Sequence, residues 1–122
     1  MPLRTNLAKM FTNAAELEDF PAGTTIFRQG EAGSSMYVVK KGELSVAVDG
    51  KQVTTLRDED IFGEMSLIDH APRSATVTAI SDCTLIPLNE KRFLFLVSEA
   101  PFFSLDVMKV IADRLRVMNR LL

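Results

Sequence analysis

Residues 44–56 read LSVAVDGKQVTTL, and their pattern sets the fold class. Leu44, Val46 and Val48 alternate with Ser45, Ala47 and Asp49, the period of two expected of a strand buried on one face. Asp49-Gly50 is a two-residue sequence favoured in hairpin turns, and Gln52-Val53-Thr54-Thr55-Leu56 returns as the partner strand. Upstream, Thr24-Thr25-Ile26-Phe27 is a second β-type run, closed by Gln29-Gly30. Met36-Tyr37-Val38-Val39 is a third, closed by Lys41-Gly42. Downstream, Ala75 to Ile80 and Thr84 to Leu88 supply two more. Short strands at regular spacing, with turn residues and no long helices between them, predict an antiparallel β-roll or jelly-roll-like barrel.

Helical periodicity appears only at the ends. Leu3, Leu7, Met10 and Phe11 suit a short amphipathic helix within residues 1–14. Phe93, Leu94, Leu96 and Val97 predict another, and Pro101 fits the first position of a third, where its missing N–H would lack a partner anyway. Leu105, Met108, Ile111, Leu115, Met118 and Leu122 then recur at spacings of three and four, an apolar stripe expected to pack on the core. The reading is a single domain over 1–122: an N-terminal helix at 1–14, a β-roll at 15–89 and C-terminal helices at 90–122.

The 122 residues are enough for one domain with a core. Fourteen Lys and Arg against sixteen Asp and Glu give a net charge of −2, which offers no general attraction to nucleic acid or an anionic membrane. One cysteine and one histidine, Cys83 and His70, are too few for a Cys-rich metal centre or an intrachain disulfide. No apolar run reaches the roughly 18 residues needed to span a bilayer, so a cytoplasmic location is expected.

The chemistry concentrates at residues 62–77, FGEMSLIDHAPRSATV. Gly63 to Leu67 is long enough for one helical turn, whose leading N–H groups favour an anion. Arg73 keeps its charge in a protein and offers paired donors to a phosphate, with Pro72 restricting the chain before it. Glu64, as a carboxylate, accepts hydrogen bonds from a hydroxyl or a cation. Two readings follow from these residues alone: a structural ion pair, or a pocket for a sugar phosphate.

F-G-E-M-S-L followed by P-R-S-A-T-V closely resembles the phosphate-binding cassette of cyclic-nucleotide-binding domains, the family of catabolite activators, kinase regulatory subunits and nucleotide-gated channels. Gly30, Gly33 and Gly42 in QGEAGSSMYVVKKGELSV match the first half of that family's β-roll. The resemblance implies that Glu64 accepts from the ribose 2′-hydroxyl and that Arg73 neutralises the cyclic phosphate. Backbone N–H groups at Ser66, at Ser74 and around Gly63 would help. Phe62, Met65 and Ala75 complete the expected ligand-binding set, and Val77 would line the base pocket. The family often carries alanine where this chain has Ser66. Ser74, directly after the arginine, leans toward cAMP over cGMP. The long C-terminal helix resembles the family's lid, with Arg114 and Arg116 as candidates to stack on the base.

The expected function is thus a cyclic-nucleotide receptor that signals through lid movement to an effector protein, with no cofactor, no metal and no catalytic residue. An enzyme acting on a phosphoester is disfavoured because no nucleophile stands beside a base in the loop. Direct nucleic-acid binding is not expected, since no helix-turn-helix pattern follows the lid. Two alternatives remain at this point: the N-terminal sensor part of a larger regulator or transporter, and a degenerate, non-binding barrel that only mediates contacts. Pairing of two copies through the C-terminal helix is a further expectation, because Met118, Leu121 and Leu122 extend its apolar surface.

Overall fold

A computed structural model of the chain describes residues 16–120. The helix expected at 1–14 lies outside them, as do Leu121 and Leu122, and the side chain of Met118 is likewise outside the description.

β4 (Leu44–Val48) and β5 (Lys51–Leu56) form the hairpin read from the sequence, with Val48 opposite Lys51. Asp49 and Gly50 have φ of 51° and 80°, the positive pair that a type I′ turn needs to match the twist of its strands. Around the hairpin stand β1 (Glu18–Phe20), β2 (Thr25–Phe27), β3 (Met36–Lys41), β6 (Ile61–Phe62), β7 (Thr76–Ala79) and β8 (Cys83–Leu88). They divide into two four-stranded sheets, ordered β1-β8-β3-β6 and β2-β7-β4-β5, with every pairing antiparallel. The result is a roll of two sheets rather than a closed barrel. β1 and β6, three and two residues long, are too short to show a period in sequence.

Side-chain alternation along β3 explains the layering. Val39 points between the sheets, into a cluster with Leu44, Leu56, Phe62, Val77, Ala79, Cys83 and Leu85. Met36 and Val38 point the other way, into a second cluster with Ile86, Leu88, Leu67, Leu96, Phe103 and Val107. Both faces of β3 and β8 are therefore covered, and their sequences MYVV and TLIPL are almost continuously apolar.

The second cluster is closed by three helices: α1 (Glu64–Asp69), α2 (Glu90–Glu99) and α3 (Phe102–Arg120). Asn89 caps α2 by accepting from the Arg92 N–H at 2.9 Å, and α3 starts directly after Pro101. The expected core stripe of α3 needs correction. Phe103 and Val107 are buried and Val110 and Ile111 pack beside them, whereas Leu105, Met108 and Leu115 are about half exposed. α3 carries apolar residues on more than one face, so its periodicity could not select the buried one; contact with the sheet did. No helix among the described residues is long and apolar enough to cross a membrane.

Candidate functional site

Gly63 turns the chain from β6 directly into α1. Its φ of 79° lies in the left-handed region, which a glycine enters without a Cβ clash. A Cβ there would also sit 2.8 Å from Arg73 Nη1. Glu64 thus opens α1 and points inward, only 4% exposed. α1 extends for six residues, longer than the one turn expected, and ends at His70, which is exposed and left-handed. The Ser66 hydroxyl, buried, donates to the Ala71 carbonyl at 2.8 Å and ties the helix to the loop that follows.

That loop delivers Arg73. Its N–H donates to the Glu31 carbonyl at 2.8 Å, and its own carbonyl accepts from the Gly30 N–H at 2.8 Å, which locks it against the β2–β3 loop. The side chain is 6% exposed. Nη1 donates to the Ser35 carbonyl at 2.7 Å and more distantly, at 3.4 Å, to the Gly63 carbonyl. The guanidinium lies over the Phe27 ring, with Cζ 4.1 Å from its centroid. A Cβ on Gly33 would overlap the guanidinium, so only glycine permits this approach. Arg73 Nε is buried without a hydrogen-bond partner.

Burial pushes the Arg73 pKa below its ordinary value, while the neighbouring Tyr37 and Glu31 pull it back up. The group stays charged at any physiological pH. Burial likewise raises the Tyr37 phenol, and Glu18 adds to the rise, against a smaller pull downward from Arg73.

Glu64 and Arg73 do not pair with each other. Glu64 receives Nη1 of Arg114, which arrives from α3 and also donates through Nη2 to the Ile61 carbonyl at 2.7 Å. Arg116 instead pairs on the surface with Asp113 at 2.7 Å. Of the remaining residues singled out in the sequence, Phe62, Ala75 and Val77 are buried, Phe62 and Val77 between the two sheets, while Met65 and Ser74 are exposed. Phe102 is exposed and Phe103 is buried against Phe93, with ring centroids 5.6 Å apart. Two partners of Arg73 escaped the sequence reading, Phe27 and the Ser35 carbonyl. An aromatic residue and a main-chain oxygen so far off in sequence carry no local signal.

The family model for the cyclic nucleotide-binding domain matches residues 17–100, across both sheets, α1 and the Arg73 loop. This chain belongs to that family. A CRP-like cAMP-activated global transcriptional regulator of Mycobacterium tuberculosis is 31% identical over 106 residues, spanning 83% of this chain and 47% of the relative. A cGMP-dependent protein kinase of Toxoplasma gondii is 41% identical over 70 residues, 57% of this chain and 7% of the kinase. The crystal structure of the Thermus thermophilus catabolite activator protein superposes with a TM-score of 0.79 at 29% identity, covering 93% of this chain and 55% of that one. The chain spans less than half the length of these two curated relatives.

The site's residues suit such a ligand. A buried cation with an unused donor needs an acceptor, and an anionic oxygen supplies one. The glycines at 33 and 63 keep side-chain bulk away from the same guanidinium.

Proposed function

We propose that this domain is a receptor for a cyclic nucleotide, cAMP in preference to cGMP, and not an enzyme. The observation that carries the reading is the Arg73 guanidinium: buried, fixed by carbonyls and an aromatic face, with Nε enclosed and without a partner. The cyclic phosphate would meet that cation together with main-chain N–H groups at Ser66 and Ser74. Glu64 would accept from the ribose 2′-hydroxyl, and Ser74 supports the preference for cAMP.

Signalling runs through α3 in this reading. Arg114 holds Glu64 before ligand arrives, and a ribose hydroxyl competes for that carboxylate. Occupancy would then change how firmly α3 is tied to the roll, a population shift between two helix positions. The output would pass to an effector protein or to further segments of a longer chain, and two copies would pair through the distal end of α3, where Leu115 and Val117 are exposed.

Calorimetric titration of the nucleotide-free protein with cAMP and cGMP side by side tests the reading. Saturable binding with cAMP tighter is expected. No heat with either nucleotide would sink the receptor assignment, and tighter cGMP would reverse the preference. Incubation with cAMP should leave it intact; appearance of AMP would make the protein an enzyme.

A further inference from the structure

A buried guanidinium that must receive an anion faces a conflict. It needs compensation for the water it has lost, yet a carboxylate partner would neutralise it and occupy the donors a ligand requires. Phe27 resolves this. Its π face lies against the guanidinium, 4.1 Å from Cζ, and attracts the cation through the ring quadrupole. A ring face carries no net charge, so it steadies the cation without neutralising it. One nitrogen then goes to the Ser35 carbonyl at 2.7 Å and Nε remains unpartnered.

The ring is itself braced. Phe27 tilts against Phe62 at 5.7 Å and 49° and against Tyr37 at 6.2 Å and 40°, while Tyr37 and Phe62 stack at 5.2 Å and 18°. The β2–β7 pairing shifts register between Thr25 and Phe27, so Ile26 and Phe27 in succession both pack against the cluster between the sheets. A regular strand would send one of the two to the opposite face; the bulge re-aims the ring.

We infer that Phe27 is a positioning residue for anion recognition, acting through the aromatic face it offers Arg73 rather than through apolar bulk alone. This inference rests on the cyclic-nucleotide reading above. Three variants of the full chain test it in calorimetric titrations with cAMP: Phe27→Leu, Phe27→Tyr, and a ring-fluorinated phenylalanine at position 27. Fluorination keeps the shape and weakens the quadrupole, so a purely structural role would not register it. The leucine and fluorinated variants should bind cAMP roughly three- to thirtyfold more weakly, and the tyrosine variant within about twofold of the parent. A fluorinated variant that binds within about twofold of the parent overturns the inference, and it decides the matter even if Phe27→Leu fails to fold. Equal losses in the leucine and tyrosine variants would overturn it too. Failure of the parent protein to bind either nucleotide strikes instead at the receptor reading, so the two failures stay distinct.

Discussion

Arg73 is the residue on which most of the site's electrostatics converge. Replacing it by alanine removes the buried cation expected to meet the phosphate, so cAMP binding should weaken by about 2–5 kcal/mol in calorimetry. Gly33 makes a more selective prediction. A methyl group there would overlap the guanidinium while leaving the core clusters untouched. Gly33→Ala should therefore weaken cAMP binding about tenfold or more while the melting temperature moves little; unchanged affinity would show that the arginine does not need that space. Tyr37 bears on pH. Its pKa is raised in the folded protein, so its contribution to stability is fully present below the ordinary tyrosine value of about 10 and is lost as pH rises through the folded value. Melting temperature should fall above about pH 10, and Tyr37→Phe should flatten that fall.

Among the elements, α3 separates into a buried and an exposed face with different consequences. Phe103 is completely buried in the cluster between sheet and helices, so Phe103→Ala should destabilise by about 3–5 kcal/mol in denaturant unfolding. Leu105→Ala, on the exposed face, should stay within roughly 0.5 kcal/mol of the parent. Arg114 is the polar tie between α3 and α1. Without it, the buried Glu64 carboxylate loses its guanidinium partner, which should cost about 1–3 kcal/mol in the nucleotide-free protein. Saturating cAMP should recover part of that loss if a ribose hydroxyl takes the vacated place. Equal losses with and without nucleotide would argue that Arg114 and ligand do not share Glu64.

At the scale of the molecule, β3 joins the two clusters, sending Met36 and Val38 to one and Val39 to the other. Neither layer can lose its packing without exposing the other side of the same strand. A single cooperative unfolding transition is expected, and ligand held at 100 times its dissociation constant should add about 2.7 kcal/mol to stability. The sequence made much of this architecture legible. Asp49-Gly50 between alternating strands specified a hairpin, and the glycines and apolar runs around it specified an antiparallel roll. β1 and β6 were hidden because two or three residues carry no period, and the buried face of α3 was hidden because several of its faces are apolar.

What the sequence alone determined were features written in local chemistry: strand alternation, the two-residue hairpin turn, and a cassette whose residues match one family across the Glu64 and Arg73 region. Tertiary structure alone decided which groups meet. It set Arg73 on Phe27 and the Ser35 carbonyl, 46 and 38 positions earlier in the chain, and gave Glu64 to Arg114 from the last helix. Such partnerships depend on how two sheets and a helix close around one another. Coulomb attraction and ring contact act through space, and no pattern confined to neighbouring residues encodes them.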